Sequence, residues 1–103
     1  MVSVRLRRTA ENDLVDIGLE SRASWGQAQM ERTLRELDEA FHLLAATPRL
    51  GRQCDDIKQG YRRLKVRSHL IYYRLDAAHE VDIVRILHGK MDPTLHLRIG
   101  FVD

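Results

Sequence analysis

Three arginines and a histidine in the C-terminal half, Arg62, Arg74, Arg85 and His88, are residue types that phosphodiester chemistry uses. Cleaving RNA requires an activated ribose 2′-hydroxyl, a cation beside the phosphate and a proton for the leaving oxygen. Arginine suits the charge, and histidine suits the proton transfers. His88 near a strand end can equally be an ordinary hydrogen-bonded side chain. A denser group, Arg62, Arg63, Lys65 and Arg67, can engage carboxylates or phosphates on a partner. It can also be an exposed strand face whose charge keeps it soluble and discourages edge-to-edge pairing. Tyr61 and Tyr73 are open to the same two readings, stacking on a partner or packing in a sheet with one polar tip. The single cysteine, Cys54, excludes an internal disulfide and fits a reducing cytoplasm. It falls in a loop with no basic surroundings to activate a thiol. No paired-ligand spacing of the zinc kind is present, and no metal or cofactor is expected.

The elements that must carry these residues follow from patterning. The chain has 103 residues, 44% hydrophobic and 31% charged, the proportions of one folded domain spanning 1–103. No apolar run approaches the roughly 18–20 residues of a membrane span, and the opening MVSVRLRRTAENDL has no secretory apolar stretch. The net charge of +2 is unevenly spread: residues 9–48 carry −5 and residues 49–103 carry +4, and 14 of the 17 bases are arginine. That split suits a polyanion or an acidic protein as partner of the C-terminal half, or a solvated charged surface.

Val2 to Arg7 alternates at period two, as a half-buried strand does. Thr9 is placed to cap a helix with the stripe Ala10, Leu14 and Ile17. Ser24 and Gln27 read as a capping box for a second helix, with Trp25-Gly26 shaping the hairpin between the two. Its stripe is Met30, Leu34, Leu37, Phe41 and Leu44, and it ends before Pro48. Residues 48–60 form a polar loop. Three strands follow, 61–67, 70–75 and 81–87, with a turn at Ser68-His69. Ile83-Val84 and Ile86-Leu87 place apolar groups on both faces of the last one. Short loops imply antiparallel pairing. The fold class expected is α+β: an N-terminal strand, a helical hairpin and a three-stranded antiparallel meander forming one sheet, with the helices on one face and the basic row on the other. Leu95, Leu97, Ile99 and Phe101 alternate, as an added edge strand or as a tail covered by a partner.

The ordered motifs resemble the ParE branch of the RelE/ParE toxin superfamily. They are Ala10, Asp13, Leu14 and Ile17 with Trp25-Gly26; Leu37, Phe41, Leu44, Ala45 and Pro48; Gly51-Arg52, Asp56-Ile57 and Gly60-Tyr61-Arg62; Ser68-His69 and Tyr72-Tyr73-Arg74; and Val84 to His88 with Met91-Asp92. They run through nearly the whole chain.

The resemblance implies the toxin half of a type II toxin–antitoxin system that poisons DNA gyrase without being an enzyme. It implies neutralisation by a ParD-like antitoxin, so that DNA is met only indirectly. The antitoxin is expected across the helical hairpin and sheet edge, near Leu34, Leu37 and the basic row, and the residues expected to bind antitoxin or target are Leu34, Leu37, Arg62, Arg63, Lys65, Arg67, Tyr73 and Arg74. The alternative is a ribosome-dependent mRNA interferase of the RelE kind using Arg62, Arg74, Arg85 and His88. No tyrosine follows Tyr73 to serve as the late catalytic tyrosine of that branch. A third reading is an inert module that only binds antitoxin.

Overall fold

The two helices and the sheet meet because each has one apolar face. The computed structural model describes residues 1–91. In it the chain runs β1 (Val4–Leu6), α1 (Arg8–Trp25), α2 (Gln27–Ala46), β2 (Arg52–Gln53), β3 (Tyr61–Val66), β4 (His69–Leu75) and β5 (Val81–His88). The five strands form one sheet in the order β1-β5-β4-β3-β2. The α+β class, the helical hairpin and the meander agree with the expectation. The sheet is larger and mixed: β1 joins β5 in parallel, Val4 opposite Val81, and the short β2 adds to β3 where only loop was expected. The alternating tail falls outside the described residues.

The main core lies between the hairpin and the sheet. Ala10, Leu37, Ala40 and Leu44 of the helices meet Ile71, Tyr73, Val81, Ile83 and Ile86 of the strands. The helical spacing of four and three along α2 delivers that apolar stripe. Each large side chain so buried contributes about 1.5–3 kcal/mol.

The opposite face carries Arg63 and Lys65 as expected, on the same side of β3 as Tyr61, but it is more than a basic row. It holds a second, smaller core of Cys54, Tyr61, Tyr72, Val84 and Leu87, covered by Ile57 of the 54–60 loop. Cys54 is thus a packing residue, and burial pushes its thiol pKa up. A bulge makes both cores possible. Tyr72 pairs with Arg85 but Tyr73 pairs with Ile83, so Val84 is an extra residue. Ile83 and Ile86 then face the hairpin, while Val84 and Leu87 face the second core.

Both expected helix caps are replaced. Thr9 does not cap α1: the cap position is Arg7, without a side-chain hydrogen bond, and Thr9 Oγ1 donates to the Val84 carbonyl at 2.9 Å. Ser24 lies inside α1, and Gly26 is at once the end of α1 and the start of α2. Its φ of +92° is open to glycine and strained for other residues. Gly26 therefore shapes the hairpin as expected, but Trp25 does not, being 77% exposed. The β3–β4 turn is Arg67-Ser68, one residue earlier than expected, since Val66 pairs with His69. Arg67 accordingly takes a positive φ of 54°.

Candidate functional site

Two polar knots hold the sheet to its surroundings, and they absorb several of the candidate residues. The first closes the open edge of β5. β1 pairs only with Val81, Asp82 and Ile83, so beyond Ile83 the edge of β5 needs other partners. α1 supplies them one helical turn apart. Thr9 takes the Val84 carbonyl, and Asp13 Oδ2 accepts the Ile86 N–H at 2.9 Å. The same carboxylate receives Arg85 through two bonds, Nε to Oδ2 at 2.8 Å and Nη2 to Oδ1 at 2.9 Å. Both side chains are largely buried, 17% and 12% exposed.

The second knot ties the loop after α2 to β3 and β4. The Tyr73 hydroxyl donates to the Pro48 carbonyl at 2.8 Å and accepts the Gly51 N–H at 2.7 Å. Arg62 Nη1 donates to the Gly51 carbonyl at 2.8 Å and to that of Arg49 at 3.3 Å. Gly51 is required here, because a Cβ at this position would lie 2.6 Å from the Tyr73 ring and hydroxyl. Burial pushes the Tyr73 phenol up, partly offset by its bond from Gly51.

The four residues considered for RNA cleavage do not converge. Val66 faces His69, and His69 faces His88, so Arg62 sits four residues down the ladder, roughly 13 Å at the rise of a strand. Arg74 pairs with Tyr61 and Asp82 at that same distant end. Arg85 and His88 do share a cleft of about 520 Å³ under the hairpin, with His69, Asp16 and Glu20. His69, absent from the candidate set, is thereby brought to His88: its register is invisible without the strand pairing. Among the described residues no three His, Cys, Asp or Glu side chains form a metal group.

The candidate binding residues divide. Leu37 and Tyr73 are 1% and 0% exposed, so they are interior and the expectation that they present a surface is corrected. Leu34 is half-buried, beside Gly18 in the crossing of the two helices. Arg62 serves the second knot. Arg67, in the turn, donates to Glu36 of α2 at 2.6 Å. Arg63 and Lys65 remain at a groove of about 620 Å³ that they line with Leu50, Arg52, Leu64, Arg67 and Leu70. The lining runs from Leu50 and Arg52 past the stretch of β3 that β2 leaves uncovered to Ser68 of the turn, Leu70 of β4 and Gly89. Arg52 was not foreseen, because its loop was not read as a strand. Burial raises the Tyr72 phenol, and the neighbouring Arg63 guanidinium partly offsets this, without a hydrogen bond of good geometry between them.

Comparison with known proteins agrees with this architecture. The family described as "ParE toxin of type II toxin-antitoxin system, parDE" matches residues 4–93. The chain belongs to this family. Toxin ParE1 of Caulobacter vibrioides is 36% identical over 97 residues, covering 94% of this chain and 99% of that protein. Toxin ParE1 of Mycobacterium tuberculosis is 48% identical over 68 residues, 66% of this chain and 69% of that one. Among solved structures, the chromosomal ParDE toxin–antitoxin system of P. aeruginosa aligns with a TM-score of 0.74 at 21% identity, over 85% of this chain and 96% of that one. The toxin–antitoxin complex RelBE2 of M. tuberculosis aligns with a TM-score of 0.63 at 26% identity, over 84% and 96%. As a member, the chain is a toxin of the type II toxin–antitoxin class. No helix among the described residues is long and apolar enough to cross a membrane.

Proposed function

We propose that this ParE-family toxin acts in the cytoplasm by inhibiting DNA gyrase, without catalysis of its own, and is neutralised by a ParD-like antitoxin. The observation that carries the reading is family membership across residues 4–93. The scatter of Arg62, Arg74, Arg85 and His88 over both ends of the sheet supports it against the ribonuclease alternative.

The antitoxin's binding segment is acidic and extended, and it lies along the uncovered stretch of β3 at Leu64–Val66. Arg52, Arg63 and Lys65 line the groove there and have no carboxylate partner among the described residues. A disordered segment that folds on its target can add to an exposed strand edge through main-chain hydrogen bonds. Cations beside that edge then select an acidic sequence and speed its encounter. Arg74, four residues along β4 from the Leu70 that faces Lys65, and Leu34, in the crossing of the two helices, lie away from this stretch.

The test is a supercoiling assay with gyrase and the purified chain, scored for lost supercoiling and for accumulated linear DNA. Both effects, reversed by the antitoxin, are expected. No effect at large molar excess of folded chain would turn the reading to ribosome-dependent RNA cleavage or to an inert module. Arg63→Glu with Lys65→Glu should weaken antitoxin binding by at least about tenfold. Unchanged affinity would remove the groove from the interface.

A further inference from the structure

His69 and His88 stand opposite each other at the last pair of the β4–β5 ladder. Their ring centres are 5.6 Å apart with the planes at 82°. We propose that this cross-strand pair is a two-imidazole site for a late first-row transition-metal ion, Zn²⁺, Ni²⁺ or Cu²⁺.

The spacing is the first argument. Two imidazoles bound tetrahedrally at the roughly 2.0–2.1 Å of a Zn–N bond have ring centres about 5.2 Å apart. The pair is within a few tenths of an ångström of that separation before any ion pulls on it, and rotation of the two rings supplies the rest. Strand pairing fixes the two backbones, so little ordering remains to be done on binding.

The ligand chemistry is the second. Imidazole nitrogen selects this class of ion over Mg²⁺ or Ca²⁺.

The third is the wall that faces the pair. Asp13, Asp16 and Glu20 of α1 line the same cleft, and of these Asp13 is neutralised by Arg85. Asp16 and Glu20 leave a negative wall that favours a cation. With two protein ligands the remaining positions belong to water, which places affinity well below that of a structural zinc site. Binding has one internal cost. The Lys90 N–H donates to His88 Nδ1 at 3.2 Å. An ion on Nδ1 displaces that bond, and an ion on Nε2 moves the proton to Nδ1 and breaks it too.

The experiment is a calorimetric titration of the untagged full chain with Zn²⁺ and with Ni²⁺ near neutral pH, with Mg²⁺ as the control. One ion per chain is expected, with weaker binding as pH falls through the imidazole range. His69→Gln and His88→Gln should each weaken it at least about tenfold, which is 1.4 kcal/mol. His42→Gln, at an exposed histidine of α2, should leave it unchanged. Proton spectra of the unaltered chain supply a readout that needs no variant: the His69 and His88 ring signals and the Lys90 amide should move first as Zn²⁺ is added. Equal binding by the double variant, movement elsewhere but not at these three groups, or no saturable binding up to roughly millimolar ion would overturn the proposal.

Discussion

Removing the Asp13 carboxylate is the perturbation that best separates a structural from a catalytic Arg85. Asp13→Ala deletes the acceptor of three hydrogen bonds, two from Arg85 and one from the Ile86 backbone. It leaves a guanidinium that is 17% exposed without a counter-charge, and an N–H on a strand edge that β1 does not reach. Breaking one side of a largely buried pair costs about 3–5 kcal/mol. A domain of this size loses roughly 4–8 °C of Tm per kcal/mol, so the melting temperature should fall by at least about 12 °C. Arg85→Leu added to Asp13→Ala removes the stranded charge. Only the unpaired Ile86 N–H and imperfect packing then remain, and most of the loss should return, to within about 1–2 kcal/mol of the starting protein.

Thermal and urea unfolding of the four proteins of this cycle measure the coupling. Two outcomes would refute the reasoning. One is a single-variant loss under about 1 kcal/mol, as for an exposed ion pair. The other is a double variant whose cost equals the sum of the single ones, which means no coupling. The same cycle reports on function. A folded double variant that still arrests growth confirms Arg85 as a structural residue, and one that is folded but inert would return Arg85 to the active surface.

Gly51→Ala should destabilise by several kcal/mol, since its Cβ would meet the fixed Tyr73 ring at 2.6 Å. Gly18→Ala should instead stabilise by about 0.5–1 kcal/mol, because its Cβ meets Leu34 at an ordinary 3.5 Å and helix propensity improves; urea midpoints of both variants check the two signs. Trp25→Ser should change stability by less than about 0.5 kcal/mol, given its exposure, and thermal melts would show a larger loss if the indole packed. For pH, the lowered His69 value means that the folded chain binds fewer protons than the unfolded one in the window below 6.5. Stability therefore rises with pH across that window and is lost as pH falls through it. His69→Gln should flatten this slope in urea midpoints taken from about pH 5 to pH 7.5, with His88, Glu20, Asp16, Asp13 and Arg85 as the groups facing the ring.

Helices, meander and core stripes were legible because each is a local period: Leu37 and Leu44 on α2, Leu64 and Val66 on β3. The two apolar pairs of β5 also announced a strand buried on both faces. Local pattern failed where a residue's partner is remote in sequence. Thr9 looks like a cap beside its own helix, yet its hydroxyl serves Val84, 75 residues away. Tyr73 looks like a surface ring until its hydroxyl is seen bridging Pro48 and Gly51. β2 has two residues and no period at all. The His69–His88 pair exists only through a register that neither residue encodes alone.

The use of arginine in this chain carries the argument about the partner one step further. Arg5 meets Asp76, Arg7 meets Asp82, Arg67 meets Glu36 and Arg85 meets Asp13. Arg62 is spent on two carbonyls. Two of these pairs use bases of residues 49–103 and two use its acids, so pairing leaves the net excess of that segment unchanged and decides only where the charge lies, which composition could not show. Among the bases of this segment, Arg52, Arg63 and Lys65 gather where β2 stops and β3 loses its neighbour. An uncovered strand edge is a liability for any chain in isolation. Placing unpaired cations along it repels second copies of the same edge while leaving it open to an acidic segment. With the antitoxin placed there as proposed, one arrangement keeps lone copies of the edge apart and selects the partner, so the neutral variant Arg63→Gln with Lys65→Gln should raise self-association as it weakens antitoxin binding. Light scattering of that variant at rising protein concentration checks the first effect, and a variant that stays monomeric would separate the two roles.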